Sequence, residues 1–311
     1  MFVSDGAMAT AASGADRATV AVLNGFGRAL GDAIIGLQAL HVAVRLGAVP
    51  LHPVLFRLPG LPPMVEAVHA MADFARIRTL PWEFAAPETS FPAGRFDRIV
   101  DLRDFAFDPD FRRSPMIDFF LRRLGVEPRL VPPSSRRNGW LAQHARPEPP
   151  PLPGGYVLVC PKASTTLRDM PSIIHERILE WTLPMAPVVT QGCVPDGLGG
   201  KVVHAPSCAS FAALCGLVRH ARWVISTDTA MVHLADAFEV PCLAFFPTHR
   251  PEWRVRDYPR CMSVALRTGL PLGAEFARGP GDEALARAAW FPEGRDFTWL
   301  DRALAISAAQ V

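Results

Sequence analysis

Lysine is nearly missing from this 311-residue chain: Lys162 and Lys201 are the only two, and arginine supplies almost all of the positive charge. Arginine codons are GC-rich, so the bias follows from GC-rich coding; fixed guanidinium forks also suit phosphate ligands. A large excess of either sign is missing too, because the formal net charge is only +2. That balance removes the electrostatic footprint of a nucleic-acid binder. No uninterrupted apolar run approaches the roughly 18 to 20 residues that span a bilayer. The amino-terminal MFVSDGAMATAASGADRA places Asp5 early and has no long apolar core, which excludes a secretory signal and predicts a flexible tail over residues 1–18. No CxxC pair occurs among Cys160, Cys193, Cys208, Cys215, Cys242 and Cys261, and most of them stand in apolar runs. Buried reduced thiols are expected, not a disulfide scaffold or a zinc site. His144, His204 and His220 lie in unrelated contexts without ligand spacing, so no metal is expected. Together these absences predict a soluble, cytoplasmic protein, with peripheral contact at the inner membrane as its closest approach to lipid.

Half of the residues are hydrophobic and a fifth are charged, enough apolar material for two cores of ordinary size. Apolar β-rich runs alternate with longer helical patterns. TVAVLN from Thr19 reads as a strand, followed by a glycine-rich turn and the helical AIIGLQALHVAVRLG; LHPVLFRL and FDRIVDL read as further strands, and MIDFFLRRLG as a helix. After RPEPPPLPGG (146–155), whose prolines can neither continue a helix nor donate to a sheet, the alternation restarts with YVLVCP, SIIHERILEWTL, APVVTQG, SFAALCGLVRHA, WVIST, TAMVHLADAF and PCLAFF. The pattern predicts an α/β chain of two Rossmann-like halves with parallel sheets, over 19–145 and 156–311, joined by a proline-rich linker.

Three segments carry the candidate chemistry. In WVISTDTAMVHLADAFEVP, Met231, Leu234, Ala235 and Phe238 fall at helical spacing and predict a buried face, while Thr229 and His233 share another side near the helix start. Asp228 stands where the strand ends and the helix begins, where open α/β sheets collect ligands; the amides of Thr229 and Ala230 would form an anion site. Asp228 serves there either as a helix cap or as a ligand-holding carboxylate. In NGFGRALGDAIIG, the glycines at 25, 27 and 31 permit a tight turn and Asp32 arrives at the helix head. The spacing is not GxGxxG and the next strand ends without an acidic residue, which argues against a nicotinamide cofactor. Asp32 is then either a first-turn carboxylate favoured by the helix dipole or a reacting group. In CPKASTTLRDMP, Lys162, Ser164, Thr165, Thr166 and Arg168 offer the hydroxyls and cations a diphosphate needs. A later run, PTHRPEWRVRDYP, brings His249, Arg250, Trp253, Arg254 and Arg256 together, either facing a ligand or as a solvated loop.

Taken in this order, RALGDAI, STTLRDMP and TDTAMVHLADAFEVP resemble glycosyltransferase family 9, the bacterial heptosyltransferases of lipopolysaccharide core assembly; FDRIVDLRDF is similar to a strand of that family as well. The resemblance implies a GT-B fold, an inverting transfer from an ADP-linked, heptose-like sugar to an acceptor hydroxyl on a cell-envelope glycan, with a lipid-linked or protein acceptor as alternatives, and no metal or other cofactor beyond the sugar nucleotide itself. It implies that Asp32 is the general base, that Asp228 holds donor sugar hydroxyls, and that Thr229, Ala230 and His233 line the diphosphate. Thr165, Thr166 and Arg168 would complete the phosphate grip, with Arg168 where the family has lysine; Gly31, Lys162, Ser164 and Arg250 extend the candidate set. Two departures stand out: Ala230 replaces a glycine, and the sequence after the last motif differs from the family's. A nucleotide-sugar epimerase of related fold and a catalytically silent sugar-nucleotide-binding protein are the competing expectations.

Overall fold

The computed structural model describes residues 19–311 except 151, 153, 154, 206, 207, 293 and 295. The expected amino-terminal tail lies outside the described residues, as does part of the proline-rich segment. The first half runs β1 (Val20–Asn24), α1 (Leu30–Arg45), β2 (Val54–Arg57), α2 (Pro63–Ala70), β3 (Arg76–Thr79), β4 (Arg98–Asp101), α3 (Met116–Arg123) and α4 (Gly139–His144). The second runs β5 (Tyr156–Cys160), α5 (Ser172–Thr182), β6 (Val188–Thr190), β7 (Val202–His204), α6 (Phe211–Arg219), β8 (Ala221–Thr227), α7 (Ala230–Ala237), β9 (Cys242–Phe246), β10 (Cys261–Ala265), α8 (Pro280–Ala288) and α9 (Thr298–Ala308). No helix among the described residues is long and apolar enough to cross a membrane.

Both sheets are wholly parallel, in the orders β3-β2-β1-β4 and β10-β9-β8-β5-β6-β7. Parallel strands between helical layers are buried on both faces and read as unbroken apolar runs, as β1, β5 and β9 do. The edge strand β3 (RIRT) has one free side and keeps polar, largely uncovered residues, so the same pattern does not reveal it; β10 (CMSVA), an edge strand of the other sheet, is only partly covered. In each sheet the chain first winds outward one way and then returns to the other side of its starting strand. The reversals fall between β1 and β4 and between β5 and β8. Crevices at the carboxyl ends of strands at such reversals are where open α/β sheets hold ligands. Here those two ends carry the glycine-rich turn, the 160–168 loop and Asp228.

The halves do not hang on a free linker. Within 146–155, the Glu148 amide donates to the Ala212 carbonyl (3.0 Å), the Ser210 hydroxyl donates to the Glu148 carboxylate (2.6 Å), and a Cβ on Gly216 would sit 2.1 Å from the Glu148 carbonyl oxygen. α6 thus holds this strap at Glu148. One apolar cluster runs from Val22 and Leu37 through Trp140 to Leu158, Val224 and Leu234, so a continuous core joins the sheets. Ions cross the same seam: Arg256 pairs with Asp118 and Asp257, and Arg136 reaches both carboxylates at 3.8 and 3.4 Å. Asp236 of α7 accepts from the Arg137 guanidinium (3.0 Å) and the Asn138 amide (2.9 Å).

Residues 24–27 all have positive φ, at 88, 54, 64 and 85°, which turns the chain sharply from β1 into α1. Phe26 pays for that strained backbone by burying its ring completely, against Gly36 of α1 and edge-on to Phe120 at 5.1 Å. A Cβ on Gly36 would fall 2.0 Å from the Phe26 ring. Gly36→Ala gains helix propensity yet is expected to lose about 1–3 kcal/mol of stability through overpacking. Urea unfolding should show a lower midpoint; an equal or higher one contradicts this packing.

Candidate functional site

The two reversals face one another across a cleft of about 780 Å³, within the range of small-molecule sites. Gly31, Asp32, Lys162, Ser164, Thr165, Arg168, Asp228, Thr229, Ala230 and His233 all line it. Two expected residues do not. The Thr166 hydroxyl donates to Glu283 of α8 at 2.8 Å, because the 3₁₀ turn over Thr166–Arg168 points it away from the cleft. Arg250 lays its guanidinium over the Trp253 ring at 5.8 Å and stands on the exposed side of its loop. From that loop His249, Trp253 and Arg254 face inward, whereas Arg256 belongs to the seam of ion pairs.

On the first wall, Gly25 must be glycine, since a Cβ at its φ of +54° would approach the Arg57 Cα to 2.8 Å. Asn24 ties the turn to the end of β4, its side-chain amide donating to the Leu102 carbonyl at 2.6 Å. α1 then begins at Leu30 without a side-chain cap, and Asp32 is its third residue. Among the described residues no cation forms an ion pair with Asp32. Desolvation in the cleft raises its pKa to about 6, partly opposed by the charge of Arg254 and reinforced by Glu275.

On the second wall, the helix cap of α7 is Thr229, whose hydroxyl accepts from the Met231 amide at 3.2 Å. Asp228 is therefore not the cap. It is buried and bound by His249 Nδ1 at 2.9 Å and by Arg168 Nη1 at 3.4 Å. Glu275 closes a ring, meeting His249 Nε2 at 3.1 Å and Arg168 Nη2 at 3.5 Å. Burial alone would raise the pKa of both carboxylates, but His249 and Arg168 hold both below their ordinary values. Burial and Arg254 oppose protonation of His249, yet its two carboxylate partners carry its pKa upward. The ring thus holds two anions and two cations, and Arg168, expected as a phosphate grip, is already neutralised. Its guanidinium also donates to Ser164 at 2.7 Å and Thr165 at 3.4 Å, while Lys162 pairs with Asp169 at 2.8 Å.

His233 lies at the floor. Burial lowers its pKa to about 4, Asp228 opposing, so the ring is neutral near pH 7. Tyr258 Oη accepts from the Asn138 side-chain amide (2.7 Å) and lies 2.9 Å from His233 Nδ1. The hydroxyl proton goes to Nδ1, which assigns the proton of the imidazole to Nε2. That nitrogen would lie 3.2 Å from a Cβ on Gly31, a tight contact that the absence of a side chain there relieves where α1 meets α7. Glu275, Tyr258 and Asn138 were not legible in the sequence. They stand in segments without motif spacing and reach the site only through the seam and the 266–279 loop.

The family model of glycosyltransferase family 9 (heptosyltransferase) matches residues 205–260, the span holding β8, α7, β9 and the Arg254 loop. The chain is similar in structure to E. coli heptosyltransferase WaaC with ADP-2-deoxy-2-fluoro heptose (13% identity, 94% of this chain and 99% of that one, TM-score 0.56). It is likewise similar to E. coli ADP-heptose lps heptosyltransferase II (12%, 94% and 99%, 0.57). The fold is GT-B, and the segment around Asp228 carries the family 9 signature. A third similar structure is the iron-containing dodecameric glycosyltransferase TibC from enterotoxigenic E. coli H10407 (13%, 94% of this chain and 77% of that one, 0.60). No curated protein sequence matches the chain. Among the described residues no group of histidines, cysteines and carboxylates has the arrangement of a metal site.

Because its pKa is raised on folding, ionised Asp32 costs stability fully above about pH 6, and the cost vanishes below the unfolded value of 3.8. Asp32→Asn should therefore raise the melting temperature at pH 8, less at pH 5, and not at pH 3.5. A gain that is the same at all three pH values would contradict the desolvated carboxylate.

Proposed function

We propose that this protein is an inverting glycosyltransferase that moves a heptose-like sugar from a nucleoside-diphosphate donor, ADP-linked, to a hydroxyl of a cell-envelope glycan. The observation that carries the reading is the placement of Asp32 and the α7 amino terminus on opposite walls of one cleft. An acceptor hydroxyl beside Asp32 loses its proton to that carboxylate as its oxygen bonds to the anomeric carbon from one face. The diphosphate departs from the other face toward the Thr229 and Ala230 amides. A base with a pKa near 6 is stronger than an ordinary carboxylate yet mostly ionised at neutral pH.

Negative charge grows on the departing diphosphate, and pre-aimed amides with the helix dipole stabilise it without reorganising. His233 adds a neutral Nε2–H donor at the same end. This electrostatic equipment suits a metal-independent transfer that needs no cofactor. Asp228, held by His249 and Arg168, keeps lone pairs for donor sugar hydroxyls, and Ser164, Thr165 and Lys162 edge the donor subsite. The structural relatives whose names carry ADP, ADP-heptose or heptose support the donor assignment. The similar E. coli ADP-heptose lps heptosyltransferase II supports an envelope acceptor by its name, and on this reading the chain acts on the cytoplasmic side and touches the inner membrane at most peripherally.

Asp32→Asn is expected to bind ADP as the unaltered protein does and to lose transfer by about 10²–10⁴-fold. In a thermal-shift series, ADP should raise the melting temperature more than UDP or GDP, since a ligand bound only by the folded state stabilises it. Transfer that survives the substitution, or donor turnover without any acceptor, contradicts the reading.

A further inference from the structure

Charge around the cleft does not close on a donor as the expected grip would have it. Asp228 and Glu275 consume the charges of Arg168 and His249, and Lys162 is spent on Asp169. On the facing wall, Arg28 donates to the Pro59 and Gly60 carbonyls, and Arg103 to Asp101 and three carbonyls of the 84–89 loop. Arg112 stands exposed at the rim.

Arg254 differs from all of these. It lines the same cleft, is partly buried, and among the described residues its guanidinium has neither a hydrogen bond nor an ion-pair partner. Its one recorded side-chain interaction is with the Phe111 ring of the opposite half, 5.8 Å from the centroid, which parks the planar cation across the gap. Its nitrogens are not among the buried unpartnered polar atoms, so the five N–H donors stay open to the cleft, where a ligand can supply acceptors. It lines that cleft together with Asp32, Asp228, His233, His249 and Glu275, and its charge acts on all five.

We propose that Arg254 is the guanidinium that receives the donor's diphosphate, in place of the neutralised Arg168, forking onto phosphate oxygens opposite the α7 amides. This inference rests on the glycosyl-transfer reading and deepens it. A planar fork matches two phosphate oxygens at once, which a point charge cannot do. The reach to Phe111 also gives the leaving group a contact on the acceptor-side wall, so diphosphate binding bridges both halves.

The test is calorimetric titration of the intact protein with inorganic pyrophosphate and with ADP, comparing the unaltered chain with Arg254→Ala and Arg254→Gln. Arg254→Gln keeps bulk over Phe111 without charge, and unchanged thermal unfolding of either variant certifies its fold. Both variants are expected to bind both probes roughly 10- to 100-fold more weakly, the range of a charge-assisted hydrogen bond. Unaltered protein that binds, with folded variants binding equally well, overturns the role of Arg254 alone. Variants that keep pyrophosphate affinity and instead raise KM for the acceptor also overturn it. Unaltered protein that binds neither pyrophosphate nor ADP, UDP or GDP overturns the transfer reading and this inference with it.

Discussion

The approach of two helix starts, α1 and α7, is the constraint on which the site depends. Gly31 eases it, because a Cβ there would come to 3.0 Å from the His233 ring, which would have to shift by a few tenths of an ångström. Once those helices touch, the carboxyl ends of β1 and β8 must look into the same space. The positive-φ turn at 24–27, the buried Phe26 and the seam formed by Arg137, Asn138 and Asp236 all serve that contact. The halves share one apolar core instead of meeting as separate bodies, so the distance between base and anion site is fixed largely by packing.

Electrostatics then divides labour within the cleft. The ring of Asp228, His249, Glu275 and Arg168 is internally neutral, which allows two buried carboxylates to remain ionised where isolation would protonate them. Among the described residues Asp32 has no such partner, and desolvation raises its pKa to about 6. Two carboxylates a few elements apart thus acquire opposite properties from their surroundings, one held ionised and the other pushed toward protonation.

Much of this was legible in the residues. The apolar runs of β1, β5 and β9 follow from burial on both faces, and the glycines before Asp32 announced the turn that delivers it. Edge strand β3 escaped because, with one side free, it need not be apolar. The role of Thr166 was misjudged because side-chain direction in a 3₁₀ turn depends on α8, which lies 117 residues away in sequence. Composition said nothing of Glu275 for the same reason: a lone carboxylate in a loop becomes part of a site only when tertiary contacts deliver two cations to it. Ala230, where a glycine is expected, is the first residue of α7 and still lines the cleft.

A crystal structure of the protein soaked with ADP tests the central claim most directly. The account predicts phosphate oxygens within hydrogen-bond distance of the Thr229 and Ala230 amides, with Asp32 across the cleft and free of the nucleotide. Phosphates lodged instead on the α1 amides beside Asp32, or outside the space between the two helix starts, would contradict it.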